Sequence, residues 1–258
     1  MSAPTNLGER LWQARASGGT VDPASVTEPT SQSEAYAIQA DVMRASGLGS
    51  VGFKVGSTSE EAQRLLGTTE PGSSPVLAPY FYEAPASVPI FPAHYPGIEG
   101  EFAYRLGADL PARAEPYTTD EVRDAIDGVA GAIEVVGTRL KGGLLGKGRY
   151  LVTADSGANI ALVIGPWVSD WRGLDIPAQA VAVTIDGEAA GSGTGANALG
   201  DPMNVMVWLA NQQSQWGAGM RTGMVVSTGT CTGIDRVKPG SHVAADFGAL
   251  GRVVIDFA

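Results

Sequence analysis

Cysteine is almost absent from this sequence, since Cys231 is the only one among 258 residues. A single cysteine excludes an intrachain disulfide and any zinc site built from several thiolates. No histidine lies close to Cys231 in the sequence, so a buried, inert thiol is a better interpretation than a nucleophile. The chain is long enough to bury a large core without cross-links.

Positive charge is also scarce, with 17 Lys and Arg against 27 Asp and Glu and a formal net charge of −10. An acidic surface repels phosphate backbones and anionic lipids, so neither nucleic acid nor a membrane is a predicted partner. Long apolar runs are missing as well, and the opening residues MSAPTNLGERLWQARASGG contain no apolar segment. We therefore expect a cytoplasmic protein. An anionic substrate would need a locally positive site, which a bound cation could supply.

Helices are predicted where apolar residues recur at a spacing of three and four or where capping residues stand. Capping boxes and an Asp-Pro pair mark three helix starts. The predicted helices are 6–16, 33–46, one opened by Thr58-x-x-Glu61, one opened by Thr118-x-x-Glu121 with Val122, Ile126 and Val129 on one face, and one from Asp201 to Gly217.

Strands are expected elsewhere, because 35 glycines and 16 prolines favour short strands joined by turns. Asp186-Gly187 between alternating segments predicts a hairpin. We predict an α+β fold in one domain over 1–258, with a helical part at 1–50 and a strand-rich part at 51–258. The predicted strands are 51–56, 98–106, 132–136, 160–164, the hairpin at 180–191 and several within 223–257, with loops or edge strands at 68–97 and loops at 140–153.

Glu99 and Glu101 alternate with apolar residues in the predicted strand 98–106. Residues two apart in a strand project from the same face, roughly 7 Å apart at ~3.3 Å per residue. Two carboxylates so placed can share one hard cation. The alternative is the solvated face of a half-exposed strand, and this stretch alone favours that alternative.

Glu134 and Lys54 are charged residues inside otherwise apolar strands. A carboxylate within AIEVV is costly to bury unless it is paired, hydrogen-bonded or bound to a metal, so a functional role is favoured for Glu134. Lys54 lies between Gly52 and Gly56, which leave room for a ligand, although a surface lysine with its stem on the sheet is the alternative. Taken together, the three acids and one lysine indicate a cation site beside an anionic substrate.

Other signals are weaker. Gly193-x-Gly195-x-x-Ala198 resembles a dinucleotide fingerprint but follows a hairpin and lacks a βαβ context. The two histidines are far apart: His242 is predicted to be structural, and His94 precedes Glu99 and is a weak active-site candidate. No Gly-x-Ser-x-Gly elbow occurs, which argues against a serine hydrolase.

In their order and spacing, several blocks resemble the 2-keto-4-pentenoate hydratase branch of the fumarylacetoacetase-like superfamily, over nearly the whole chain. Any one block is unspecific, but the series is specific. The blocks are EAYAIQ (34–39), GFKVG (52–56), IEGE (98–101), AIEVVGTR (132–139), Ala154-Asp155, GTGANALGDPMNVMVWL (193–209), Arg221-Thr222-Gly223 and the segment from Phe247-Gly248 to Phe257.

The resemblance implies a mixed β-roll with N-terminal helices and a homo-oligomer. It further implies that Glu99, Glu101 and Glu134 bind Mg²⁺ or Mn²⁺ and that Lys54 faces the substrate. The implied enzyme is a lyase that adds water to a 2-hydroxy-2,4-dienoate or a related 2-oxo acid through a metal-stabilised enolate. The alternatives are a 2-oxo acid decarboxylase or C–C hydrolase at the same metal, or a non-catalytic metabolite-binding homologue.

The chain differs from the hydratases that it resembles at positions where those proteins have acidic residues. After Glu70-Pro71 they usually have an aspartate, whereas this chain has Gly72, and a second expected aspartate is missing near Pro79. Their Asp-Asn-Ala-Ser run stands here as DSGA, starting at Asp155. These changes predict an intact metal site with different proton-transfer residues. The candidate substitutes are Asp155, then Ser156 or His94.

Overall fold

The computed structural model describes residues 6–258, and its N-terminal part is helical. The first two helices match the predicted spans 6–16 and 33–46. Each begins at a side-chain cap and ends at a glycine in the left-handed region, as helix termini require. The helices are α1 (Leu7–Ser17), α2 (Gln32–Ser46), α3 (Glu60–Leu66), α4 (Thr119–Asp124), α5 (Arg149–Ala154) and α6 (Pro202–Gln215).

Strands dominate the remainder, which confirms the predicted α+β fold. Most of the predicted strands are present, and 68–97 holds three short strands that lie at sheet edges, as expected. The strands are β1 (Ser50–Gly56), β2 (Gly72–Leu77), β3 (Phe81–Glu83), β4 (Ala86–Val88), β5 (Gly97–Leu106), β6 (Ile126–Val136), β7 (Asn159–Ile164), β8 (Ala180–Ile185), β9 (Glu188–Thr194), β10 (Val225–Thr230), β11 (Asp235–Arg236), β12 (His242–Asp246) and β13 (Arg252–Phe257).

The strands form two mixed sheets. The larger sheet has the order β2-β1-β10-β5-β6-β7-β3, with β11 paired to β5, and the smaller has the order β4-β13-β12-β8-β9. Within the larger sheet β1 runs parallel to β10, and β5 pairs with β6 antiparallel along its length. Strands β5 and β6 therefore lie at the centre of the larger sheet, and both are buried almost throughout.

In the core between the two sheets, two phenylalanine rings pack closely against each other and against a glycine. The rings of Phe102 on β5 and Phe247 meet edge to face at 5.7 Å. A Cβ on Gly131 of β6 would lie 2.3 Å from the Phe247 ring, so only glycine fits there. The hairpin between β8 and β9 turns at Asp186 (φ 54°) and Gly187 (φ 87°), which confirms the prediction made from this pair.

Two predictions of helix boundaries need correction. The cap of α3 is Ser59, which accepts from the amide of Ala62, and not Thr58. The capping box at Thr118 is confirmed, but α4 ends at Asp124, and Ile126 and Val129 lie in β6. Their β-branched side chains suit the sheet core, and tertiary packing overrides the helical spacing.

Two further findings concern helices. The predicted loop at 140–153 includes α5, whose N-terminus lacks a side-chain cap and therefore gives little sequence signal. The start of α6 at Asp201-Pro202 is confirmed, because the Asp201 side chain accepts from the amide of Met203. Among residues 6–258, no helix combines the length and apolar character needed to cross a membrane.

Candidate metal centre

Three glutamates meet on one face of the central strands. Glu99 on β5 stands directly opposite Glu134 on β6, and Glu101 lies two residues further along β5. Opposite residues and residues two apart share a face, so all three side chains project together. One carboxylate oxygen from each lies within 4.8 Å of the others.

The solvated interpretation of Glu99 and Glu101 is wrong. Glu101 and Glu134 are fully buried, and only 9 % of Glu99 is exposed. Strand β5 is buried almost throughout, so its alternation of charged and apolar residues does not mark a solvated face.

Lys54 enters this cluster from β1. Its strand runs parallel to β10, where Lys54 stands opposite Ser227, and its Nζ lies 3.2 Å from Oε1 of Glu134. Only 4 % of Lys54 is exposed, which contradicts the alternative of a surface lysine. Gly52 allows the close approach of β10, since a Cβ there would lie 1.9 Å from the carbonyl oxygen of Val225.

Hydrogen bonds orient two of the carboxylates. Oε2 of Glu101 accepts from the hydroxyl of Ser227 and from the amide of Gly229 at 2.9 Å. Oε1 of Glu134 accepts from Nδ2 of Asn159 at 2.8 Å as well as from Lys54. The other oxygens, Oε1 of Glu101 and Oε2 of Glu134, are buried and have no partner within residues 6–258.

Those two oxygens test whether the residues fit a divalent cation. A buried carboxylate oxygen without a partner is costly, and hard cations such as Mg²⁺ prefer oxygen ligands. Three convergent carboxylates with two free buried oxygens and one lysine leave an excess of negative charge. The residues therefore fit a divalent cation.

Burial and mutual repulsion disturb the titration of these groups. Burial, followed by the charge of Glu134, raises the pKa of Glu99 to about 8. Burial and the charges of Glu134 and Glu99 also raise the pKa of Glu101 well above its usual value. Burial acts to lower the pKa of Lys54, but the charges of the three glutamates outweigh it and raise that pKa, so Lys54 is protonated at neutral pH in the metal-free protein.

Asp155 lies in a second buried cluster. Its Oδ1 is 2.7 Å from Nε of Arg139, and its Oδ2 accepts from the hydroxyl of Thr138 at 2.6 Å and from the amide of Arg139 at 2.9 Å. Both carboxylate oxygens are thus engaged. Ser156 follows directly, and the next residue, Gly157, packs against Lys54, with an added Cβ only 3.1 Å from the Lys54 Cε.

His94 is buried in the short turn between β4 and β5. Its Nε2 lies 2.8 Å from the carbonyl oxygen of Gly19, and its ring meets Phe91 edge to face. Burial lowers the pKa of His94 below its usual value. These contacts tie His94 to the N-terminal segment. His242 lies in β12, as predicted, and its Nδ1 is 2.7 Å from Oδ1 of Asp256.

Several residues that donate hydrogen bonds to the carboxylates were not predicted from the sequence. Asn159, Ser227 and Gly229 donate to Glu134 or Glu101 from other strands. A usable signal existed for Ser227, a polar residue that follows two valines in a buried strand. Cys231 is buried beside Gly229, as expected, and burial raises the pKa of its thiol, which favours an inert thiol.

Comparison with known proteins bears on this geometry. The family model described as fumarylacetoacetate (FAA) hydrolase C-terminal matches residues 53–257. The chain belongs to the fumarylacetoacetate hydrolase family. The matched span includes Lys54 and the three glutamates of the candidate metal centre, and it confirms the resemblance seen in the sequence.

Curated relatives align over nearly the whole chain. A 2-keto-4-pentenoate hydratase from Paraburkholderia xenovorans is 32 % identical, with 96 % of this chain and 93 % of the relative covered. A 2-hydroxyhexa-2,4-dienoate hydratase from Comamonas testosteroni is 30 % identical, with 97 % and 96 % covered.

Among solved structures, a 4-oxalocrotonate decarboxylase from Pseudomonas putida G7, complexed with magnesium and adipate, has a TM-score of 0.87. It is 24 % identical, with 98 % of this chain and 96 % of that chain covered. This likeness confirms the fold expected for the family.

Proposed function

We propose that this chain is a metal-dependent hydro-lyase that adds water to a 2-hydroxy-2,4-dienoate or a related small 2-oxo acid. One observation carries the proposal: three buried carboxylates converge within 4.8 Å. The activity is suggested by the hydratases that are 30–32 % identical over nearly their full length.

Glu99, Glu101 and Glu134 would hold Mg²⁺ or Mn²⁺. When bound, the ion would supply Lewis acidity that stabilises the enolate form of a 2-oxo acid. The protein keeps this site ready by orienting Glu101 through Ser227 and Gly229, so that one oxygen of the carboxylate stays free within the described chain. Burial of the three carboxylates also excludes water, which strengthens every charge interaction there.

Lys54 contributes a fixed positive charge beside an anionic substrate. Because its pKa is raised in the metal-free protein, it carries a proton at neutral pH and can donate a hydrogen bond. Its contact with Oε1 of Glu134 sets the position of the ammonium group. We therefore assign Lys54 to binding the substrate and stabilising negative charge that develops on it.

Proton transfer by Asp155, Ser156 or His94 stays a prediction. Both carboxylate oxygens of Asp155 are engaged by Arg139 and Thr138, which favours a positioning role. Ser156 precedes Gly157, which packs on Lys54, so of the three residues it is the best placed to transfer a proton near Lys54. His94 is held by the carbonyl of Gly19.

Decarboxylation at the same centre is the second candidate. A curated relative from Pseudomonas that is 25 % identical over 254 residues is a 4-oxalocrotonate decarboxylase. Both reactions proceed through an enolate of a 2-oxo acid, so one set of carboxylates can serve either. Product analysis separates them, because only decarboxylation releases carbon dioxide.

The test is a spectrophotometric assay on purified, metal-free protein. With Mg²⁺ added, the ultraviolet band of a 2-hydroxy-2,4-dienoate should decay, and excess chelator should stop the decay. The variant Glu134→Gln should abolish it, while Glu188→Gln, on the exposed hairpin strand β9, should leave the rate unchanged.

Absence of turnover on any 2-oxo acid in the presence of metal would refute the proposed activity. If Mg²⁺ and oxalate nevertheless stabilise the protein by roughly 2–4 kcal/mol at saturation, a non-catalytic binding protein is the correct function. A homo-oligomer is also expected from the resemblance, and light scattering of the full chain would measure its order. Cytoplasmic location stays a prediction from the sequence.

A further inference from the structure

The chain between α5 and β7 makes a turn in an uncommon conformation. Ser156, Gly157 and Ala158 have φ values of 52°, 59° and 63°, all in the left-handed region. Two of these residues are not glycine, so neighbouring contacts must hold the conformation. The amide of Ala158 donates to the carbonyl of Asp155 at 3.0 Å and closes the turn.

Two buried arginines fix this turn at both ends. Arg139 contacts the Asp155 carboxylate at 2.7 Å at one end, and its Nη1 donates to the carbonyl of Asn159 at 2.8 Å at the other. Arg15, from α1, donates to the carbonyls of Asn159 and Ile160, each at 2.6 Å. The backbone of Asn159 is therefore held by two charged groups from separate parts of the chain.

The side chain of Asn159 points to the candidate metal centre. Its Nδ2 donates to Oε1 of Glu134 at 2.8 Å, and only 1 % of the residue is exposed. A carboxylate accepts but does not donate, so the amide must present its NH₂ group to Glu134. Lys54 contacts the same oxygen, and Oε2 of Glu134 has no partner in the described part of the chain.

We infer that Asn159 is a positioning residue for the Glu134 carboxylate, held in place by the turn at 155–158 and by Arg15 and Arg139. With two donors on Oε1, the carboxylate cannot rotate without losing a hydrogen bond, and Oε2 stays available to a cation. Outer partners of metal ligands commonly act in this way. The inference rests on the proposed function, because it requires Glu134 to be a metal ligand.

The test measures Mn²⁺ affinity of the full chain by electron paramagnetic resonance, without substrate. Asn159→Leu removes the donor at similar size, and Asn159→Ala removes the side chain. Each should weaken Mn²⁺ binding by about 10–100-fold. Asn211→Ala is the matched control. The side chain of Asn211 also makes two hydrogen bonds, both with the backbone of Tyr117, but it lies on α6 away from the carboxylates. Its Mn²⁺ affinity should equal that of the wild type.

Wild-type affinity in a folded Asn159 variant would overturn the inference and leave the proposed function standing. A wild-type protein that binds no Mn²⁺ would overturn the proposed function itself. If both Asn159 variants fail to fold, Arg15→Lys tests the contacts that hold the Asn159 backbone, since a single ammonium group lacks the planar fork with which arginine donates to both carbonyls. That variant should bind Mn²⁺ several-fold more weakly, and unchanged affinity would again overturn the inference.

Discussion

Two clusters of buried charge lie close together in this protein and differ in how their charges are balanced. In the first, Glu99, Glu101 and Glu134 converge beside Lys54, which contacts Glu134, and two carboxylate oxygens have no partner among residues 6–258. In the second, Arg139 and Asp155 pair one to one, and every side-chain nitrogen and oxygen of the two has a partner, while the neighbouring buried Arg15 donates to the carbonyls of Asn159 and Ile160.

The difference shows that burial alone does not identify a functional charge. In a balanced pair, the two charges neutralise each other and every polar atom has a hydrogen-bond partner. Such a pair can hold the surrounding backbone in place. An unbalanced cluster with free oxygens is stabilised when a further positive charge enters. The predictions below test this distinction, in order of decreasing expected effect.

The largest effect on stability is expected at the balanced pair. Asp155→Ala leaves Arg139 buried without its counter-charge, and we expect a loss of about 3–5 kcal/mol in the free energy of unfolding. Denaturant titration measures it. Asp170→Ala, at an exposed site, should change stability by no more than about 0.5 kcal/mol. Equal effects of the two variants would show that the pair is not structural.

The unbalanced cluster should respond in the opposite way. Glu134→Gln keeps an oxygen that can accept from Lys54 and Asn159 but removes a buried negative charge. We expect Mn²⁺ affinity to fall by more than about 100-fold, beyond the effect of losing an outer partner. Stability of the metal-free protein should be maintained or increased. Calorimetric titration and thermal unfolding measure both, and unchanged Mn²⁺ affinity would contradict the assignment.

Lys54→Met separates metal binding from substrate chemistry. Removing a cation next to the carboxylates should leave Mn²⁺ affinity equal or higher, because like-charge repulsion is relieved. Turnover should fall by about 10²-fold, the scale of losing one group that stabilises developing charge. A rate unchanged at saturating metal would remove Lys54 from the proposed mechanism.

The stability of the metal-free protein should depend on pH. Folding raises the pKa of Glu99 to about 8 from an ordinary 4.5, so the folded state binds more protons than the unfolded state between these values. Stability should therefore fall as pH rises from about 4.5 to 8. Saturating Mg²⁺ should reverse the trend. Unfolding curves across this range check the sign, and a flat profile without metal would contradict it.

The smallest effect is expected far from both clusters. Thr118→Ala removes the cap of α4 and should cost about 1 kcal/mol of stability. Metal affinity and turnover should not change, because α4 contributes no residue to either cluster. A change in Mn²⁺ affinity in this variant would show that the affinity measurements report general stability.

Much of the local structure was predictable because it follows from neighbours in the chain. The cap at Asp201 and the turn at Asp186-Gly187 depend on backbone needs that only a few residues meet, and both are found as expected. The errors arose where packing overrode a local pattern. Ile126 fits a helical spacing but lies in a central strand, and Glu101 alternates as a solvated residue does but is buried.

By itself, the sequence determined which residues could form a metal centre and the family to which the chain belongs. An intrusive charge such as Glu134 in an apolar run, or a lysine between glycines, is visible in the letters. Only the tertiary structure decided that Glu99 stands opposite Glu134 and that Asn159 reaches the same carboxylate. Strand register and burial depend on what packs above and beside a strand, and those neighbours come from distant parts of the chain.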